Sequence, residues 1–355
     1  MSRFEQVAAK LEAYGLDAML VLSRPNRLYV TGFQSSAGAA LVTRTGSWFF
    51  TDSRYIEAAR RAVTGAEVLE NTAEYPISRL VNETLERTGA KRLGYEDGTT
   101  TVAEFRSLSE KLSAELVPAT ELLEELRMVK DAEEVETLIA AQRIAEGAFT
   151  EVLNFIRAGR TEQEIAAYLQ YQMLLRGAER MSFYPIVVSG ANSSMPHGVP
   201  TAKPVADGDF ITMDFGCVYQ GYCSDMTRTV AVGHVTEEME TVYRTVLSAQ
   251  QAGIAAARAG VTGREVDGAG RKVIADAGYG ACFGHSFGHG VGLEVHEGPN
   301  ANPRWEKPLP AGAVISAEPG IYLPGRFGVR IEDVIVITED GCRDIMLTPK
   351  ELLIL

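Results

Sequence analysis

Two acidic residues lie where a soluble chain has most difficulty placing them. Asp214 falls inside the apolar stretch Ile211-Thr212-Met213-Asp214-Phe215-Gly216, and Glu332 inside the β-branched run from Val329 to Ile337. A carboxylate in a core strand is costly unless it is paired, hydrogen-bonded or bound to a cation. Glu318 adds a third case. It follows the strand-like Ala313-Val314-Ile315-Ser316-Ala317 and precedes Pro319-Gly320. Buried strand carboxylates without compensating charge present a severe desolvation problem. The fold must either gather them around positive charge or satisfy each one separately. Asp214 alone is explained equally well as a buried Asp accepting backbone hydrogen bonds at a strand end.

The surrounding residues bear on that choice. Asp225 stands in Cys223-Ser224-Asp225-Met226-Thr227-Arg228-Thr229, after a hairpin-like connection with Gly216 and Gly221 near its ends. If the hairpin closes through Tyr219 to Gly221, Asp214 and Asp225 point at one spot. Like charges in one site raise each other's pKa unless a cation holds them. Two aspartates at this spacing are a weak signal alone; Thr227 and Thr229 offer hydroxyls to orient them. Histidine is more telling, because the chain has only five. His234 follows Gly233 and reads as a surface turn residue. His197 lies in a Pro- and Gly-containing loop segment. His285, His289 and His296 cluster among Gly284, Gly288, Gly290 and Gly292. Glycines there let backbone approach a metal or substrate closely, although Gly-His runs also occur in simple loops. Their spacing is not that of a dinucleotide-binding loop. Asp214, Asp225, Glu318 and Glu332 with the His289 imidazole suit two hard or borderline divalent ions such as Mn2+, Co2+ or Zn2+. A site of that type activates a water and polarises a carbonyl, which is the chemistry of amide hydrolysis.

A chain of 355 residues suggests two domains. In the first, strands and helices alternate, which predicts a small α/β domain. A helix is expected over residues 4–14, a strand over Leu16–Leu22, and a loop at Ser23-Arg24-Pro25-Asn26. This region has no histidine and no cysteine, so a structural and substrate-restricting role is expected of it. The boundary falls between 118 and 130, giving domains 1–125 and 126–355. In the second, Asp131 with Glu134 and Thr161 with Glu164 have the pattern of capping boxes. Helices then alternate with strand groups, one of them an unbroken strand from Arg330 to Ile337. That order predicts an α+β domain with helices covering one sheet. Helix pair then strands, over 131–232 and again over 237–337, suggests an internal duplication.

Composition closes off other classes. With 46% hydrophobic and 23% charged residues the chain reads as soluble and globular. No apolar run approaches the roughly 20 residues of a membrane span. The N-terminus lacks a signal peptide's apolar core, so a cytoplasmic location is expected. Cys217, Cys223, Cys282 and Cys342 show no C-x-x-C spacing and read as reduced. A net charge of -13 disfavours nucleic acid as a partner.

Gly288-His289-Gly290-Val291-Gly292-Leu293-Glu294-Val295-His296-Glu297, Ala317-Glu318-Pro319-Gly320-Ile321-Tyr322 and Gly328-Val329-Arg330-Ile331-Glu332-Asp333 resemble the pita-bread metallopeptidases of family M24. Within them, the prolidase and aminopeptidase P branch is a better match than the methionine aminopeptidases. The resemblance implies a C-terminal pita-bread (creatinase/aminopeptidase-like) domain preceded by a smaller α/β creatinase/prolidase-type domain. It implies that Asp214 chelates one metal and His289 with Glu318 the other, while Asp225 and Glu332 bridge. Glu318 is also the implied general base. His197 corresponds to a histidine that assists proton transfer or holds the scissile amide. His296 corresponds to one that stabilises the tetrahedral intermediate, and His285 to one lining the proline pocket. Arg330 supports the site by pairing with a carboxylate and joins His285 and Tyr184 in the substrate-binding group.

The implied activity is two-metal hydrolysis of the Xaa-Pro bond in short peptides, by a homodimer, with no nucleic acid or membrane as partner. An Xaa-Pro dipeptidase is favoured because the N-terminal domain is compact; the alternative is an aminopeptidase P acting on tripeptides and longer. Many dipeptide-specific members carry an arginine where Asn300 stands here. Arg304, Arg326, or an arginine such as Arg44 or Arg54 from a partner's N-terminal domain could substitute for it. Ser182-Phe183-Tyr184-Pro185-Ile186-Val187 also departs from the common S-F-D-T-I-V. Metal-independent creatinase-type enzymes lose several ligand positions, and a binding protein on an inactive scaffold has no need of them. Retention of all five disfavours both.

Overall fold

Val21 and its neighbours form the centre of the first sheet. The computed structural model describes residues 1–355, which divide into two compact units, Met1–Arg127 and Met128–Leu355. The first unit runs α1 (Arg3–Lys10), β1 (Ala18–Val21), α2 (Arg24–Thr31), β2 (Ala39–Thr43), β3 (Ser47–Thr51), α3 (Ile56–Ala62), β4 (Glu67–Glu70), α4 (Ile77–Thr88), β5 (Arg92–Tyr95), α5 (Val102–Lys111), β6 (Glu115–Pro118) and α6 (Thr120–Met128). Its sheet has the order β4-β3-β2-β1-β5-β6. β1 and β2 are buried along their whole length, the expected state of strands whose apolar residues run on without alternation.

Two local expectations change. The first helix ends at Lys10, and a turn carries the chain to Gly15 at φ 63°. Ser23-Arg24-Pro25-Asn26 is the start of α2, not a loop: the Ser23 side chain accepts from Asn26 N and Pro25 lies in the first turn. A serine cap followed by proline is a helix-start signal, because proline's missing N–H is one the first turn cannot use anyway.

The second unit holds the long helices α7 (Ala132–Phe155), α8 (Glu162–Leu175), α9 (Glu237–Ala256) and α10 (Gly263–Asp276). Between the pairs lie β7 (Arg180–Met181), β8 (Ile186–Ser189), β9 (Phe210–Phe215), β10 (Cys217–Tyr219), β11 (Tyr222–Cys223) and β12 (Met226–Ala231). After them come β13 (Gly288–Gly290), β14 (Glu297–Ala301), β15 (Val314–Ala317), β16 (Gly320–Leu323), β17 (Phe327–Arg330), β18 (Asp333–Ile337) and β19 (Cys342–Asp344). The strands form several small sheets, not one: β12-β9-β8, β14-β13-β15-β18-β19, β11-β10-β7 and β16-β17. α8 and α10 begin alike. Thr161 and Thr262 each cap with a capping box, and each bridges a proline, Pro204 and Pro308.

Three features of this unit place the site. Ile211, Met213 and Phe215 pack with Phe149, Ile165 and Leu169 of α7 and α8. Alternation along β9 therefore turns Asp214 to the other face. Next, β10 and β11 close on Gln220 (φ 48°) and Gly221 (φ 83°), with Tyr219 opposite Tyr222. Positive φ at both positions is the type I′ turn of tight hairpins. The chain returns so that β12 sets Met226 opposite Phe215 and Thr227 opposite Asp214. Lastly, the expected single strand from Arg330 to Ile337 is broken. β17 ends at Arg330, β18 begins at Asp333 in another sheet, and Glu332 lies in the crossing. Glu332 N donates to Thr227 O at 3.1 Å, which ties the crossing to β12.

The return after Gly216 is tight: a Cβ there would meet Ser224 O at 1.9 Å. Gly216→Ala should therefore destabilise by roughly 1–3 kcal/mol, a fall in Tm of about 2–10 °C by calorimetry. An unchanged Tm would show that the turn yields without strain. No helix is long and apolar enough to cross a membrane.

Candidate metal centre

A cavity of about 560 Å3 in the second unit is lined by Asp214, Asp225, His289, Glu318 and Glu332, with His197, His285, His296, Tyr184 and Arg330. Every residue expected to bind metal, contact substrate or take part in catalysis thus borders one space. Ligand atoms of Asp225, His289 and Glu332 lie within 4.8 Å of one another. His289 Nε2 is 3.6 Å from Asp225 Oδ2 and 3.0 Å from Glu318 Oε1. His289 Nδ1 lies 3.1 Å from Gly290 O. A carbonyl only accepts, so Nδ1 carries a proton and Nε2 is the atom offered to the cluster.

The charge of the cluster is unbalanced. Burial raises the pKa of Asp214, against the pull of Arg330. Burial and then the Asp214 charge hold Asp225 well above the usual carboxylate range. Burial and then Asp225 do the same to Glu332. For His289, burial opposes protonation, but the hydrogen bond and charge of Glu318 and the charge of Asp225 outweigh it and raise its pKa to about 9. Glu318 answers in kind: burial pushes it up, and His289 brings it down to about 2. Burial and mutual repulsion thus disfavour the charged forms of Asp214, Asp225 and Glu332 where the cluster lacks positive charge. A divalent cation would supply that charge and favour the ionised carboxylates. Two buried oxygens also have no hydrogen-bond partner, Asp214 Oδ1 and Glu332 Oε1. Buried polar atoms are normally satisfied, so these two fit a donor set for metal.

The other oxygens are held. Arg330 NH2 donates to Asp214 Oδ2 at 2.5 Å, and Thr227 Oγ1 to Glu332 Oε2 at 2.7 Å. Ser316 Oγ donates to Glu318 Oε1 at 3.0 Å. Arg330 also donates from Nε to Thr227 Oγ1 and from NH1 to Tyr322 OH. Tyr322 OH lies 2.9 Å from His285 Nε2, and His285 Nδ1 lies 2.9 Å from Ser286 O. The directions follow. Arg330 can only donate and the Ser286 carbonyl only accept, so Tyr322 donates to a neutral His285. Burial lowers the His285 pKa accordingly.

Each loop bearing one of the other histidines is fixed by a buried carboxylate. Glu162 accepts from Ser189 and Thr201 on either side of His197. Asp267 accepts from Phe287 N and from Arg271, which donates to His285 O. Glu297, next to His296, pairs with Lys130 at 2.7 Å. The His296 ring meets His289 edge-on, centroids 4.3 Å apart; burial and then the His289 charge lower its pKa. His197 and Tyr184 are exposed at the cavity. His234 lies apart, paired with Asp207. Asn300 lines the cavity, whereas Arg304 and Arg326 do not. Sequence reasoning missed Tyr322 and the three carboxylates. Tyr322 had a signal, its place in Glu318-Pro319-Gly320-Ile321-Tyr322.

Residues 136–339 match the model of Metallopeptidase family M24, and residues 3–129 that of the Creatinase/Prolidase N-terminal domain. An uncharacterized peptidase, YqhT, of Bacillus subtilis is 46% identical over 342 residues, covering 96% of each chain. The solved structure of an Xaa-Pro dipeptidase from Bacillus anthracis is 40% identical with a TM-score of 0.96, covering 99% of each chain. An X-Pro aminopeptidase from Thermotoga maritima is 38% identical with a TM-score of 0.92, covering 98% of this chain and 100% of the other.

Proposed function

The chain belongs to metallopeptidase family M24, with a creatinase-type N-terminal domain before a pita-bread domain, and we propose that it hydrolyses the peptide bond before proline in short peptides, Xaa-Pro dipeptides being favoured. The observation that carries this reading is the pair of buried, unpartnered oxygens Asp214 Oδ1 and Glu332 Oε1 beside Asp225 and His289. Four carboxylates and an imidazole suit two divalent ions, Mn2+, Co2+ or Zn2+. Asp214 would hold one, His289 and Glu318 the other, with Asp225 and Glu332 shared. Bound there, they would polarise the scissile carbonyl and lower the pKa of the attacking water.

The chain's own groups do the rest. Ser316 donates to Oε1 of Glu318 and orients the carboxylate, which takes the water's proton. The leaving prolyl nitrogen bears no hydrogen in the substrate and must gain one as the bond breaks. Glu318 returns the proton, and His197 assists that transfer or holds the amide. His296, neutral with one N–H to give, donates to the carbonyl oxygen as charge develops on it. Phe183, Ile186 and Val295 line the cavity with the neutral His285. These surfaces suit a proline ring, which brings no N–H to satisfy.

One observation favours cleavage of longer peptides by an aminopeptidase. Arg330 is the sole arginine or lysine lining the cavity. Its donors are engaged by Thr227, Pro196, Tyr322 and Asp214. A dipeptide's free carboxylate finds no uncommitted cation there. An arginine from a partner's N-terminal domain would meet that need, so the reading includes a homodimer; a cytoplasmic location is part of the same proposal. Turnover of Xaa-Pro and Xaa-Pro-Xaa, with Mn2+, Co2+ and Zn2+ added separately, tests the choice. The dipeptide should be cleaved at least as well. Cleavage of the tripeptide alone would replace dipeptidase by aminopeptidase, and full activity after exhaustive chelation would overturn the metal reading.

A further inference from the structure

Glu162 is fully buried at the first position of α8 and does not line the cavity. One loop saturates its carboxylate. Oε1 accepts from Ser189 N at 2.7 Å, Ser189 Oγ at 2.9 Å and Asn192 Nδ2 at 3.1 Å. Oε2 accepts from Asn192 Nδ2 at 3.2 Å, Thr201 N at 3.0 Å and Thr201 Oγ1 at 2.6 Å. These donors bracket His197. On its other side the loop meets the metal-site strand β17: Gly328 N donates to Ser193 Oγ at 2.8 Å, and Arg330 NH1 to Pro196 O at 3.3 Å. The exposed His197 ring takes its place from the loop that carries it.

A buried carboxylate is an expensive way to tie down a loop, since an apolar contact can do so without desolvating a charge. The repeated helix start shows that the fold does not need it. α10 begins with the same capped threonine and the same bridge to a proline, yet Gly263 stands where α8 has Glu162. There the backbone fills the space: a Cβ on Gly263 would meet Asn300 O at 1.9 Å. The carboxylate belongs to the half that carries His197.

We propose that Glu162 is a positioning residue for the hydrolytic reaction, holding both ends of the 189–201 loop so that His197 reaches the scissile amide. This rests on the role given to His197 above. In Glu162→Gln the amide NH2 must face a backbone N–H at either Ser189 or Thr201, so one end of the loop comes loose.

The test compares native protein, Glu162→Gln, His197→Ala and the double variant, each with metal content and Tm recorded. Glu162→Gln should lose about 10- to 100-fold in kcat/KM, the scale of a displaced catalytic group, with native metal content. The loss should divide between kcat and KM as it does in His197→Ala. The double variant should be no worse than His197→Ala by more than about twofold, because a group that acts through another adds nothing once that other is gone. Losses that multiply, or a fully active Glu162→Gln, would overturn the inference. If Glu162→Gln does not fold, Thr201→Val removes one donor to Oε2 and should lose about threefold, again without addition to His197→Ala; full activity or an additive loss overturns the proposal equally. A His197→Ala variant with native turnover overturns both the role of His197 and this inference, while leaving the peptidase reading intact. A native protein that cleaves no Xaa-Pro peptide fails that reading itself.

Discussion

Glu332→Ala is expected to abolish hydrolysis of Xaa-Pro substrates while leaving the metal-free protein as stable as before, or more so. Glu332 is 1% exposed, and its Oε1 has no partner. Its Oε2 accepts from Thr227 Oγ1, but removing a desolvated carboxylate that lies among others relieves the folded state by more than that one hydrogen bond. Activity moves the other way. A metal contributes several kcal/mol of transition-state stabilisation, so losing a shared ligand should lower kcat/KM by about 10^3-fold or more. Asp225→Ala should behave alike. Metal content by mass spectrometry should fall in both, and the Tm of chelated protein should hold or rise. Activity above a tenth of native in either variant would remove the shared-ligand role. A large drop in the Tm of chelated protein would mean instead that these carboxylates serve the fold.

That opposition between stability and function is why the metal ligands were legible in the sequence. Asp214 and Glu332 interrupt apolar runs, and a strand that tolerates a charge has a reason to. The supporting carboxylates gave no such sign. Glu162 opens a helix, Asp267 lies within one, and Glu297 follows His296 at the start of the short strand β14. Acids are ordinary in all three settings. Their partners, Thr201, Phe287 and Lys130, are distant in sequence, and only the folded chain brings each pair together.

The same limit hid the break between β17 and β18. Val329 to Ile337 reads as one strand because the run is apolar and β-branched. Its division at Ile331-Glu332 comes from tertiary partners: Thr227 bonds Glu332 through both backbone and side chain, while Asp333 pairs onward in another sheet. Ser23-Arg24-Pro25-Asn26 was a different case. The helix start is written there in local residues, a capping serine followed by a proline in the first turn, and the expectation of a loop passes over that signal.

Arg228→Met should lower stability by about 3 kcal/mol or more, although Arg228 takes no part in the chemistry. The side chain is 2% exposed and every N–H is committed. It donates to Asp333 Oδ1 at 2.7 Å and to the carbonyls of Thr227, Glu332, Thr348 and Pro349. One guanidinium thus ties the backbone under Glu332 to the C-terminal segment. Breaking a buried pair by removing one partner costs about 3–5 kcal/mol, chiefly because the other charge stays buried. The lower end applies here, since Lys350 and Gln250 remain on Asp333 Oδ2. In a unit of this size the Tm should fall by about 10 °C. The double variant Arg228→Met/Asp333→Leu removes both charges and should recover part of that loss, though not the four carbonyl contacts. Calorimetry on the chelated proteins separates the two contributions. A single variant within about 2 °C of native would reduce the pair to the worth of an exposed ion pair. A double variant no better than the single would assign the cost to the orphaned carbonyls, and so to the tie between Glu332 and the C-terminal segment.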